Sequence, residues 1–285
     1  MLNIGAHIKK ESGHLLKTLE IIKNNDGNAL QLFVSNPRSA ELSNIDNYSN
    51  IANELYNYCN KNSFQLVIHA PYTINLAKEP KANKRILDLK DCYWINLVIN
   101  QLIVSDIINS IGVVIHVGKY TTSTKENAIE YMQKAIQYII KEMKNQNIKS
   151  KLIIETPAGA GTELLTDIDD FIAFYNSFPK DELKYLGICI DTAHIWSSGY
   201  DINEYYKCIS KTNLKDILVI HLNNSKKDKG SKADMHETIF DGKIPIKDLE
   251  KFIINLKNNK TKPVIILEKP SDTILNKELN WIKNL

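Results

Sequence analysis

Seven short apolar runs of this 285-residue chain end on, or just before, a side chain that can hold a metal ion: His7, His69, His116, Glu155, Asp191, His221 and Glu268. Two local motifs extend the set. In Asp191-Thr-Ala-His194 an imidazole follows the carboxylate after a turn of three residues, and in Asp234-Met-His236 a spacing of two sets both side chains on one face of an extended segment. Of the seven histidines only His14 lies outside this pattern. A single histidine at a strand end is ordinarily a hydrogen-bonded core residue, and a single carboxylate there ordinarily caps the next helix. The whole set has one common explanation, a polynuclear metal centre where the strand ends converge. Imidazole and carboxylate without thiolate suit catalytic zinc, with manganese as second choice, because a structural zinc favours cysteine. Ions so held lower the pKa of bound water to about 7, and a pair about 3.5–4 Å apart can hold the attacking and leaving oxygens of an in-line displacement.

A cluster of that kind needs elements that bring distant positions together. Runs rich in Ile, Val and Leu recur at Leu2 to Ala6, Ala29 to Val34, Gln65 to Ile68, Gly112 to Ile115, Leu152 to Ile154, Leu186 to Ile190, Ile217 to Ile220 and Pro263 to Leu267. Segments of helical spacing separate them. The clearest is Ala128 to Met143, where Ile129, Met132, Ile136, Ile139, Ile140 and Met143 mark one face. Continuous apolar strands need cover on both faces, and eight of them alternating with helices predict a closed (β/α)8 barrel, an α/β TIM barrel of one domain spanning residues 1–285. An open doubly wound sheet is the rival, but no Gly-x-Gly-x-x-Gly follows the first strand. The segments at Ala70 to Asn83, Thr156 to Thr166 and Leu222 to Lys243 are long and polar, as expected of loops at the C-terminal mouth of a barrel.

With 43% hydrophobic and 24% charged residues the composition is that of an ordinary globular protein. Cys59, Cys92, Cys189 and Cys208 form no C-x-x-C pair, and the N-terminus opens on a strand-like stretch without a basic and apolar leader, so the expectation is a reduced, soluble, intracellular protein with no signal peptide. No apolar run approaches the roughly 20 residues of a membrane helix. A net charge of +3 leaves the partner open. The runs Lys257-Asn258-Asn259-Lys260 and Asn60-Lys61-Asn62 read as solvated helix ends.

Several motifs together resemble one known family: Asn3-Ile-Gly-Ala-His7, Asn36-Pro-Arg38, His69-Ala-Pro-Tyr72 with Ile74-Asn-Leu76, Glu155-Thr-Pro-Ala-Gly159, Ile190-Asp-Thr-Ala-His194, Gly199-Tyr-Asp201, His221-Leu-Asn-Asn-Ser-Lys226 and Asp234-Met-His236-Glu237. In this order, over nearly the whole chain, they are similar to the endonuclease IV family of zinc-dependent apurinic/apyrimidinic endonucleases. The resemblance implies three zinc ions per chain at the mouth of the barrel. His69, His116 and Glu155 would hold the first. Glu155 would bridge to a second completed by Asp191, His221 and Glu268, and His194, Asp234 and His236 would hold the third. Glu155 and Glu268 are then the catalytic carboxylates. Arg38 and Tyr72 would enter double-stranded DNA at an abasic site, and Lys226 and Lys227, with Lys229 and Lys232 nearby, would grip flanking phosphates. The chain departs from the family at His116-Val-Gly-Lys-Tyr120, which usually reads His-Pro-Gly with a further histidine, and at Thr73, where an apolar residue is common.

What the resemblance implies of function is hydrolysis of the phosphodiester 5′ to the abasic sugar, leaving a 3′-hydroxyl and a 5′-deoxyribose phosphate, together with cleaning of blocked 3′ ends, by a monomer acting on DNA. A sugar lacking its base forfeits little stacking when extruded and fits a pocket too small for a normal nucleotide. The alternative is a divalent-metal-dependent sugar isomerase or epimerase, since such barrels also set Glu, Asp and His at strand ends. It has no need of His69 and His116 together with Asp234-x-His236.

Overall fold

Residues 2–9, 14–268 and 274–285 are described in the computed structural model of the chain. Eight parallel strands close on themselves: β1 (Ile4–His7), β2 (Ala29–Leu32), β3 (Gln65–His69), β4 (Gly112–His116), β5 (Lys151–Glu155), β6 (Leu186–Asp191), β7 (Ile217–His221) and β8 (Val264–Leu267). Each pairs with its neighbours in chain order, and β1 closes the ring against β8. The expected barrel is the observed one, which disposes of the open sheet.

Two apolar layers hold it. Inside the barrel Ala29, Val67, Val114, Ile153, Cys189, Val219, Val264 and Ile266 form one fully buried cluster. Between strands and helices lies the larger layer, to which the helix Lys125–Asn145 contributes Ala128, Met132, Ala135, Ile136, Ile139, Ile140 and Met143, the face that the sequence periodicity marks. Thr124 starts that helix by accepting a hydrogen bond from Asn127 N at 3.2 Å. All four cysteines are free thiols. Among the described residues no helix is long and apolar enough to cross a membrane.

Register determines which side chains meet at the mouth. The pairing of β4 with β5 sets His116 beside Glu155, and that of β6 with β7 sets Asp191 beside His221. β1 and β2 pair His7 with Gln31, while β1 and β8 pair Ala6 with Leu267, so that Glu268 follows directly beside His7. The close approach of β1 to β2 requires Gly5, since a Cβ there would stand 1.6 Å from Ala29 O. Three of the expected runs are shorter as strands: the first begins at Ile4 and extends to His7, the second stops at Leu32, and the eighth begins at Val264.

The long loop after β7 is folded back on its own strand. Asn224–Ser225 pairs antiparallel with His236–Glu237, which returns His236 to the level of the β7 end. The buried Asn224 side chain ties the same loop through Ile239 O, Ile244 O and Ile244 N. From outside, Glu278 on the C-terminal helix (Leu275–Asn284) accepts a hydrogen bond from Ile239 N at 2.7 Å. Burial, reinforced by Asp241, pushes the Glu278 carboxyl up to about 7 against the effects of Ile239 N–H and Lys277. A carboxyl with a raised folded-state pKa binds more protons folded than unfolded. Its contribution is therefore full below about 4.5 and is lost as pH rises through about 7. Glu278→Gln is expected to melt with the wild type at pH 5 and above it at pH 8. The effect is on the order of 1 kcal/mol or more, at least roughly 2–4 °C. Thermal melts at the two pH values check this, and an equal gap at both would remove Glu278 as its source.

Candidate metal centre

Each candidate ligand occupies a position its element makes rigid. His69, His116, Glu155, Asp191 and His221 are the last residues of β3 to β7, and Glu268 follows β8 by one. The turn in which the sequence sets His194 is the first turn of a helix, Thr192–Ser197. Asp191 is the N-cap of that helix, its Oδ1 accepting from His194 N at 2.8 Å, so one carboxylate both starts the helix and aims the imidazole. Asp234 and His236 reach the mouth on the folded-back loop, both side chains turned to His194.

The structure brings all nine together. Glu155 Oε2 lies 3.4 Å from His69 Nε2 and 3.3 Å from His116 Nε2, while its Oε1 lies 2.7 Å from His221 Nδ1. His221 Nδ1 is 3.3 Å from Glu268 Oε2 and 3.7 Å from Asp191 Oδ2. Asp234 Oδ1 is 3.2 Å from His194 Nε2 and 3.1 Å from His236 Nε2, which is itself 3.5 Å from Asp191 Oδ2. Among the described residues three tight groups of ligand atoms result: His69, Glu155 and His221; Asp191, His194 and His236; and Glu155, Asp191, His221 and Glu268. His116 and Asp234 lie outside these groups but reach them through Glu155 and through His194 and His236.

These separations fit a metal better than hydrogen bonds. Donors about 2.0–2.1 Å from a tetrahedral ion lie about 3.3 Å from one another, the spacing most of the pairs show. Glu155 Oε2, His194 Nε2 and His236 Nε2 are buried with no hydrogen-bond partner among the described residues, a costly arrangement unless a cation sits among them. Two of the remaining ring nitrogens are used up elsewhere. His69 Nδ1 donates to Ala70 O and His194 Nδ1 to Thr156 O, each at 2.8 Å, which leaves both Nε2 lone pairs facing the cluster. His116 Nδ1 has no such partner among the described residues, in keeping with the unusual sequence after it. That loop is close-packed all the same: a Cβ on Gly118 would stand 2.3 Å from Ala77 Cβ.

The electrostatics are those of a cage seeking cations. Burial pushes Glu155 and Glu268 up, but the surrounding imidazoles, His221 foremost, outweigh it and hold both carboxyls well below the usual range. Asp234 is likewise depressed against burial, by His194 and His236. In the reverse sense burial opposes protonation of His236, yet Asp191, Asp234 and Glu268 raise it to about 9. Burial keeps His116 low.

Above the cluster opens a cavity of about 770 Å³ lined by Lys9, Phe33, Ser35, Pro37 and Tyr72 as well as by the ligand side chains. Tyr72 is 60% exposed at its rim and packs edge-on against Phe33 at 5.3 Å. Its backbone N–H donates to Pro37 O, and Thr73 Oγ donates to Ser39 O, so the loops after β2 and β3 are clipped into one wall. Arg38 stands exposed in the same wall, its N–H held by Asn36 Oδ1. Lys226 and Lys227 are exposed on the loop after β7; Lys226 Nζ lies 3.6 Å from Glu237 Oε2, which offsets part of its charge.

Four positioning residues are absent from the ligand pattern read in the sequence. Thr156 accepts from Asp191 N, and Thr192 bonds the backbone of Asn223. Asn223 Nδ2 donates to Asp191 Oδ2 at 2.7 Å and to Glu268 Oε2 at 3.0 Å. Gln31 joins His7, Glu268 and His221. Its signal was available, a lone amide within the apolar run Ala29-Leu-Gln-Leu-Phe33.

Residues 19–285 match the family model described as xylose isomerase-like TIM barrel. The probable endonuclease 4 of Mycoplasma mobile is 30% identical over 294 residues, covering 99% of this chain and 93% of its own. That of Clostridium botulinum (strain Alaska E43 / Type E3) is 31% identical, over 89% and 88%. Among solved structures, endonuclease IV from Thermus thermophilus superposes with a TM-score of 0.73 at 22% identity, covering 99% of this chain and 96% of that one. A D-tagatose 3-epimerase-like protein superposes almost as well, with a TM-score of 0.71 at 15% identity, over 98% and 97%.

Proposed function

This chain belongs to the endonuclease IV family, within the xylose isomerase-like TIM barrels, and from that premise we propose that it is a zinc-dependent DNA-repair endonuclease acting at abasic sites. The reaction is hydrolysis of the phosphodiester 5′ to the abasic sugar, to a 3′-hydroxyl and a 5′-deoxyribose phosphate, with removal of 3′-blocking groups as a related activity. One observation carries the reading: nine imidazole and carboxylate side chains meet at one barrel mouth, three of their buried ligand atoms having no hydrogen-bond partner among the described residues. The fold does not decide, because an epimerase-like protein shares it.

Three zinc ions are proposed, one held by His69, His116 and Glu155, one by Glu155, Asp191, His221 and Glu268, and one by His194, Asp234 and His236. When bound, they would supply Lewis acidity toward the phosphate and lower the pKa of water to about 7. The protein's own share is positional. Glu155 presents its two oxygens to different histidines, which suits a bridge. Ala70 O, Thr156 O and Gln31 hold the rings in the tautomer that leaves a lone pair toward the ions. Asn223 keeps Asp191 and Glu268 in register with each other. On the rim, Tyr72 and Arg38 form the wall against which a baseless sugar is drawn out of the duplex, and Lys226 and Lys227 face the flanking phosphates.

The test is incubation of the zinc-loaded protein with duplex oligonucleotides, intact or carrying one abasic analogue. Only the second should be cut, at the 5′ side of the lesion. Tyr72→Ala and Arg38→Ala should each raise KM for abasic duplex by about 10-fold or more with bound metal unchanged, the loss typical of a stacking or charged contact. A Tyr72→Ala protein with unaltered kinetics would remove the wedge role, and equal inertness toward both duplexes would end the reading.

A further inference from the structure

His7 and Gln31 belong to none of the tight ligand groups, yet the barrel register sets both against Glu268. The Gln31 amide is fully buried and uses both ends. Nε2 lies 2.8 Å from Glu268 Oε1 and 3.0 Å from His7 Nδ1, and Oε1 lies 2.8 Å from His221 Nε2. The chemistry of the partners decides who donates. A carboxylate only accepts, so the amide NH₂ faces Glu268 and the amide oxygen faces His221, whose Nε2 carries the proton. The second N–H of the same NH₂ points to His7 Nδ1, which accepts. Neutral His7 therefore holds its proton on Nε2, at the far edge of the ring from Gln31. That nitrogen has no hydrogen-bond partner among the described residues. The ring lines the cavity, 4.5 Å from Phe33 and 6.1 Å from His69 between ring centres.

We propose that His7 is a substrate-binding residue that donates its Nε2–H to an oxygen of the phosphodiester bound over the cluster, and that Gln31 is the positioning residue that fixes its tautomer. The proposal rests on the phosphodiester reading above. A neutral donor suits this place, since a cation would compete with the ions for Glu268 and an acceptor would repel the phosphate. One amide thus orients a ligand imidazole, a ligand carboxylate and a substrate donor together.

The experiment uses zinc-loaded protein. His7→Phe keeps the ring against Phe33 and removes the donor, whereas His7→Gln restores an N–H at similar reach. His7→Phe should keep its zinc and lose about 10- to 100-fold in kcat/KM on abasic duplex, the value of a hydrogen bond to a charged group, with His7→Gln regaining most of it. Binding of inorganic phosphate, measured by calorimetry, should weaken by a similar factor in His7→Phe alone. Long-range ¹H–¹⁵N NMR of histidine-labelled protein should show His7 protonated at Nε2, and Gln31→Leu should release it to a mixture of tautomers. An Nδ1-protonated His7 in the wild type, or wild-type phosphate binding by His7→Phe, overturns the proposal. If the wild type leaves abasic duplex intact while His7→Phe still weakens phosphate binding, the endonuclease reading falls and the His7 donor stands.

Discussion

Glu155→Gln is expected to abolish cleavage of abasic duplex, by a factor on the order of 10⁴ or more, while the duplex is still bound. Both oxygens of Glu155 are engaged, Oε2 facing His69 and His116 and Oε1 facing His221 and His194. An amide cannot serve both sides. It would carry no charge to hold two cations close together, and its NH₂ would set hydrogens where a bound ion would need a lone pair. On the proposed reading the lesion is bound by Arg38 and Tyr72, in loops that Pro37 and Ser39 fix without help from Glu155. The change therefore separates chemistry from recognition. Cleavage within 10-fold of wild type, measured in single turnover with metal content determined alongside, would show that Glu155 does not bridge.

The second large effect concerns metal count. Nine candidate ligands are too many for one ion and generous for two, whereas three ions sharing Glu155, as proposed, would each receive three or four protein ligands and keep positions for water or phosphate. The purified protein should hold three ions per chain, zinc predominating, and lose cleavage when a strong chelator strips them. His236→Ala should drop the count to two and slow cleavage by about 10²- to 10³-fold, as loss of one electrostatic stabiliser does. His236 is the selective choice because its Nε2 is an orphaned atom facing Asp234 and Asp191, and because it sits on a folded-back loop rather than on a barrel strand. Elemental analysis finding one or two ions in active protein, with His236→Ala cutting normally, would sink the three-ion reading.

Much of this was legible in the sequence. Eight apolar runs appear because a strand covered on both faces cannot alternate, and their regular separation by helical spacing leaves few architectures that close. The strand-end histidines and carboxylates stood out because polar, metal-capable side chains are rare directly beside such runs. Nearest-neighbour motifs such as Asp191-x-x-His194 and Asp234-x-His236 carried their pairing with them, since residues so close in the chain can hardly part.

Tertiary structure alone decided the rest. Which carboxylate oxygen faces which imidazole follows from the stagger between strands, and a strand one residue out of register would turn its ligand away from the mouth. The helix at Thr192–Ser197 is invisible to periodicity at six residues, being created by the Asp191 cap. His236 meets His194 only because Asn224–Ser225 pairs with His236–Glu237, a return that no local pattern announces. Gln31 shows the limit most sharply. As a residue type it is an unremarked amide in β2, and it became the hub of His7, His221 and Glu268 only when barrel closure set β1 between β2 and β8, joining positions 237 residues apart. Local chemistry is written in residue type and spacing, whereas a hydrogen-bond network depends on distances that exist only after the ring of strands has closed.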